Sequence, residues 1–251
     1  MNKIKLGVKW LDDLMPEGIL VNTSTIISGP GGSGKPLIGN HFAAAWLRAG
    51  GSVVFMSLQY PNKDFIITSL KKVTNIELSE YENQSYFVQL DVTLDGINEV
   101  SSHEIKANIV KPDIWIKAIE KATLSLSKEG PGILVFGSAL NLLLFSPTYK
   151  NRILDQMTAT IADDKSGSYL FSISTSAKRE DIENLEKAAD NLIMTRSENE
   201  PFRLFMNIIR MKDLPFKTGE IEVPIPSGAL MEVKKVADHS RKRVIPAISK
   251  I

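Results

Sequence analysis

Short apolar runs alternate along this chain with longer amphipathic segments. Thr25-Ile26-Ile27-Ser28 is β-branched and ends at Gly29, which predicts a buried strand. Residues 37–47 are apolar and Ala-rich, which predicts a helix, with Ala49-Gly50-Gly51 as its stop. A second strand follows over 53–58, a helix over 63–73 and a third strand over 86–90. Residues 91–111 mix polar signals with no clean period and are expected to form a loop or insertion. Residues 112–127 give an amphipathic helix with Trp115, Ala118 and Ile119 on one face. The pattern then predicts a strand over 133–136, a helix over 149–162, a strand over 169–174, a short helix over 182–189 and a strand over 191–194. Residues 202–211 and 221–224 read as terminal strands in hairpin order.

Strands alternating with helices predict an α/β fold: a mostly parallel, doubly wound sheet flanked by helices. The helix-poor end predicts antiparallel strands at the C-terminal side. The expected organisation is one domain over 1–232 and a basic tail over 233–251. That tail carries Lys234, Lys235, Arg241, Lys242 and Arg243 against Asp238, and is expected to be a solvated, mobile terminus.

At 251 residues, 43% hydrophobic and 24% charged, the composition is that of an ordinary soluble globular protein. A formal net charge of +1 gives no whole-chain argument for nucleic acid or a membrane. With no cysteine there is no disulfide, thiolate metal site or cysteine nucleophile, which fits a cytoplasmic location. No apolar run is long enough to span a bilayer, and residues 1–6 hold no apolar signal core. His41, His103 and His239 are scattered without companion carboxylates, so no metal centre is expected from them.

The chemistry concentrates in Gly29-Pro30-Gly31-Gly32-Ser33-Gly34-Lys35-Pro36. This is the phosphate-binding pattern G-x-x-x-x-G-K-[ST] up to Lys35, between a predicted strand and a predicted helix. Glycines let the backbone curl so that its N–H groups face phosphate oxygens, and the lysine adds a cation. Pro36 breaks the pattern, because proline has neither the Mg²⁺-ligating hydroxyl nor an amide hydrogen. It also disfavours the helical region for Lys35, so that side chain is expected to be mis-aimed.

Flanking segments carry a resemblance. Leu6-Gly7-Val8-Lys9-Trp10-Leu11-Asp12-Asp13-Leu14 and Glu17-Gly18-Ile19-Leu20 precede the loop; Val54 to Tyr60, Ile133 to Leu140, Phe171 to Ser176, Ala189 to Ile193, Arg210-Met211-Lys212 and Thr218-Gly219-Glu220 follow it. In order and spacing these resemble the motifs of KaiC-like domains, members of the RecA-type P-loop ATPases, from about Leu6 to Ile225. The resemblance implies a RecA-like fold, ATP as ligand, Mg²⁺ as its metal and hexameric self-assembly. It also implies a nucleotide site at Gly29, Gly31, Gly32, Ser33, Gly34, Lys35 and Pro36. Arg210 and Lys212 match, in reversed order, basic residues that reach a neighbouring subunit's nucleotide. The alternative is two solvent-facing cations on a hairpin.

The departures fall on one chemical task. Gly137 stands where the family has its Walker B aspartate, Gln59 and Tyr60 where it has a pair of glutamates, and Pro36 where it has the metal-binding hydroxyl. Glutamine can orient a water but cannot take its proton. Asp64, Asp163 and Asp164 are the acids that could substitute, and none sits at a Walker B position. The expectation is a non-hydrolysing module that binds ATP weakly or not at all, lacks a metal site, and works through a protein partner or self-assembly. A divergent active ATPase and a recombinase-paralogue-like nucleic-acid binder using the basic tail are the alternatives. The near-neutral charge gives the latter no support.

Overall fold

The computed structural model describes residues 2–58, 62–200 and 202–251, and of Asn199 the backbone only. The elements run β1 (Lys3–Ile4), α1 (Lys9–Leu14), β2 (Ile19–Leu20), β3 (Ser24–Gly29), α2 (Lys35–Arg48), β4 (Ser52–Ser57) and α3 (Lys63–Thr74). A 3-10 turn (Leu78–Gln84) leads to β5 (Ser85–Leu90), β6 (Ile97–Ser101), β7 (Glu104–Ala107), α4 (Pro112–Leu124) and β8 (Ile133–Ser138). A second 3-10 turn (Leu140–Phe145) leads to α5 (Lys150–Asp163), β9 (Ser168–Ser174), α6 (Arg179–Ala188), β10 (Asn191–Asn199), β11 (Phe202–Arg210), β12 (Ile221–Glu222) and α7 (Ser227–Ile248).

The main sheet has the order β12-β11-β10-β3-β9-β8-β4-β5-β7-β6. Pairing is parallel from β10 through β7, and antiparallel at β11, β12 and β6. The parallel strands are apolar on both faces because both faces are covered. Ile27, Leu134, Phe136 and Leu170 pack with Phe42 and Trp46 of α2 on one side. Ile26, Val54, Val135 and Phe171 pack with Trp115 of α4 and Met157 of α5 on the other. Phe136 lies so close to Gly39 that a side chain there would overlap its ring, which brings α2 down onto the sheet.

Two expectations need correction. Residues 91–111 are not a loop: β6 and β7 form a hairpin that extends the sheet beyond β5. The pattern was hidden because β6 is an edge strand with a largely exposed face, so it lacks the apolar run that marks a central strand. Asn108 ties the segment down, donating from Nδ2 to Val92 O (3.2 Å) and Leu94 O (3.0 Å).

The basic tail is likewise not a mobile terminus. The boundary at 232/233 falls inside α7, a 22-residue helix that packs on β11, on the 3-10 turn at Leu140–Phe145 and on α3. Leu230, Val233, Ala237, Ser240 and Ile248 are its buried stripe. Their helical spacing was the available signal, masked by the lysines and arginines between them. Lys72 and Glu232 form an ion pair at 2.5 Å that fixes the start of α7 to α3.

Candidate functional site

Strand β3 delivers residues 29–36 to the carboxyl edge of the parallel sheet, where open α/β folds place ligands. Gly32 and Gly34 have positive φ, +74° and +75°, which curls the loop before α2 begins at Lys35. Pro36 sits in the first turn of α2, where its missing amide costs no helical hydrogen bond. The Gly31 amide donates to Ser176 Oγ at 2.9 Å. Among the described residues, the amides of Gly32, Ser33 and Gly34 have no protein acceptor.

Lys35 is buried at 5% exposure, and its ammonium turns back into its own loop. It donates to Gly29 O (3.0 Å), Pro30 O (2.5 Å) and Ser33 Oγ (3.1 Å). Burial, with the nearby Arg241 guanidinium, lowers its pKa to about 7. The helical start at Lys35 shows that the steric preference before proline yields to the fold. The side chain is nevertheless directed at loop carbonyls.

At Gly137, on β8, an added Cβ would stand 2.8 Å from Phe171 Cδ1 and 2.9 Å from Leu140 Cγ, with Leu140 Cδ1 closer still. Both neighbours are fully buried. The space a metal-holding carboxylate would use is hydrocarbon. The next residue, Ser138, hydrogen-bonds Ser57 at the end of β4, Oγ to Oγ, at 2.7 Å. With no hydroxyl at 36 and no room at 137, the residues present do not fit the usual Mg²⁺ ligand set. Among the described residues, no group of three or more His, Asp or Glu could hold a metal ion.

Gln59, Tyr60 and Pro61 lie outside the described residues. Asp64 is exposed in the first turn of α3. Asp163 ends α5, and Asp164 accepts from Ser166 and the Tyr169 hydroxyl near the start of β9. These last two are at the far end of β9 from Ser174, about 20 Å of strand away. Arg210 and Lys212 are engaged within the chain. Arg210 Nη2 donates to Glu186 O (2.6 Å) and Ala189 O (2.7 Å), capping α6. Lys212 Nζ donates to Asp190 Oδ1 (2.8 Å).

Helix α7 is the part of the site that motif reading missed. Its inner face lies along the loop: Leu230 against Gly34, Lys234 against Gly32, and Arg241 Nη1 just 2.5 Å from the Cβ position of Gly31. Arg241 pairs with Asp238 one turn earlier. Between the loop, the ends of β8 and β9 and α7 remains a cavity of about 210 Å³.

The family model described as "ATPase: KaiC" matches residues 4–237. The chain belongs to the KaiC ATPase family. A protein of Aeropyrum pernix described as a UPF0273 protein is 23% identical over 194 residues, covering 77% of each chain. The crystal structure of a KaiC-like protein from the hyperthermophilic archaeon Pyrococcus horikoshii OT3 superposes with a TM-score of 0.65 at 14% identity, covering 90% of this chain and 96% of that one. At that identity the likeness bears on the fold. It agrees with the α/β sheet and antiparallel end strands expected from the sequence. Among the described residues, no helix is long and apolar enough to cross a membrane.

Proposed function

We propose that this KaiC-family chain is a non-hydrolysing module, holding a phosphate-bearing ligand weakly at residues 29–36. In this reading it acts in the cytoplasm through a protein partner or assembly with copies of itself. The observation that carries the reading is the filled space at Gly137, where Leu140 and Phe171 stand in the way of any metal-holding carboxylate. Pro36 removes the second metal ligand, and Gln59, at the position of the family's water-polarising glutamate, cannot accept a proton at neutral pH. Phosphoryl transfer depends on positioned metal charge and an oriented nucleophile, so binding outlives hydrolysis here. The curled loop and Lys35 support retained affinity for phosphate oxygens.

The test is phosphate release from ATP by purified protein, with Mg²⁺ and with EDTA, beside Lys35→Ala. The expected rate is background in every case. Mg²⁺-dependent turnover that disappears in Lys35→Ala would overturn the reading. Light scattering over a concentration series reads the assembly part, which fails if the protein stays monomeric and captures no partner.

A further inference from the structure

We infer that the covered phosphate loop takes a small phosphate-type oxyanion without metal, with Arg241 of α7 supplying the cation on the open side. This rests on the loop binding without hydrolysing, and names what it binds and how access is controlled.

The first ground is the chemistry of the cavity wall. Lys35 and Arg241 both line it, and among the described residues no acidic one does. Two cations facing one small space repel, and that repulsion adds to the larger effect of burial in lowering the Lys35 pKa. An anion between them reverses the sign of that interaction. Asp238 compensates Arg241 from the helix side and contributes nothing to the cavity wall.

The second ground is independent of the loop. Asn141 and Ser172 are 3% and 2% exposed and both line the cavity. Asn141 Oδ1 accepts from Ser174 N at 3.0 Å, which leaves Nδ2 as a donor without an acceptor among the described residues. The Ser172 hydroxyl also has no partner among the described residues. Both residues are almost wholly buried yet open to this one cavity, so its occupant meets two hydrogen-bonding groups that no protein partner among the described residues has taken. Nδ2 and the Gly32 amide, the one free loop amide on the cavity wall among the described residues, are donors and suit an acceptor-rich anion.

The third ground is size. About 210 Å³ is below the roughly 300–1,000 Å³ of pockets that hold drug-sized ligands. Leu230 and Lys234 cover Gly34 and Gly32, where a nucleoside triphosphate would lay its phosphate chain. With α7 docked, phosphate or pyrophosphate fits beneath it and a nucleotide does not. A nucleotide has to lift the helix first.

The experiment is a thermal-shift titration in EDTA with orthophosphate, pyrophosphate, sulfate and ATP. Wild type is expected to be stabilised by phosphate or pyrophosphate and not by ATP. Arg241→Gln, at a partly exposed position that leaves the core intact, is expected to weaken the apparent affinity by about tenfold to a hundredfold, the loss of one hydrogen bond to a charged group. Leu230→Ser, which loosens α7, is expected to let ATP bind and to leave the oxyanion effect reduced. No shift with any oxyanion, a shift with ATP as large as that with phosphate, or an unchanged affinity in Arg241→Gln would each overturn the inference, whereas sulfate, which meets the same donors, is expected to stabilise as well. None of these outcomes involves hydrolysis, so a failure here leaves the non-hydrolysing reading standing, and Mg²⁺-dependent turnover would fell that reading separately.

Discussion

The side chain of Leu140 fills the space that any side chain at Gly137 would enter. Leu140 follows β8 in a 3-10 turn and folds back against the strand, with Phe171 of β9 on the other side. Gly137→Ala is therefore expected to cost about 1–3 kcal/mol through overpacking, and Gly137→Asp more, because a carboxylate is also buried. Urea unfolding midpoints read both. Leu140→Ala in the same chain should recover part of the loss, a non-additive pair in a double-mutant cycle. Restoring Pro36→Thr with Gly137→Asp should yield no Mg²⁺-dependent hydrolysis.

Lys35 makes stability depend on pH. Its folded pKa is about 7 against about 10.4 in an unfolded chain. Between these values the unfolded state binds more protons, so stability rises with pH from about 7 upward. Below pH 7 both states are protonated and the penalty is constant. Lys35→Met should be more stable than wild type at pH 7 and show a flatter profile from pH 7 to 9. A parallel pair of profiles would refute this.

His41 gives the opposite end of the same logic. Burial, with Arg48 nearby, lowers its pKa to about 4, so wild type should lose stability as pH falls from about 6.5 to 4. Its ring meets Trp10 edge-on at 5.6 Å. His41→Phe should lack that pH slope, as read by denaturant midpoints at pH 7 and 5.

Docking of α7 predicts protease resistance. Lys234, Lys235, Arg241, Lys242 and Arg243 are trypsin sites held in a packed helix. Leu230→Ala should destabilise by about 2–5 kcal/mol if α7 unfolds with the domain. If α7 opens alone, cleavage within 234–243 should accelerate while the urea midpoint of the remainder stays put.

Asp190 joins Lys165 (2.7 Å), Lys212 (2.8 Å) and the amide of Ser24 (2.9 Å). Burial raises its pKa, but these hydrogen bonds outweigh it and hold the pKa below the ordinary carboxylate value. Its stabilising contribution is present above pH about 4 and is lost as pH falls through the lower folded value. Lys212→Ala should cost at most about 1 kcal/mol, because the lysine end of the pair is exposed and screened by solvent, a loss readable in urea.

The parallel strands were legible because central strands covered on both faces must be apolar throughout, as at Ile133–Phe136 and Tyr169–Ile173. The loop was legible because its glycines and Lys35 lie contiguous in sequence. The hairpin of β6 and β7 was not, since an edge strand has solvent on one side and need not show the apolar run. Helix α7 was obscured for a related reason: five basic residues dominate its composition, while its packing depends on Leu230, Val233, Ala237 and Ile248.

By itself the sequence determined the α/β architecture, the phosphate loop and the absence of metal-binding groups at Pro36 and Gly137, because each is written in adjacent residues. Only the tertiary structure decided that the space at Gly137 is closed by Leu140 and Phe171, and that Lys35 turns into its own loop. It also brought Arg241 to Gly31 across 210 positions of sequence. Such contacts depend on which surfaces meet once the chain has packed, and no local pattern records them.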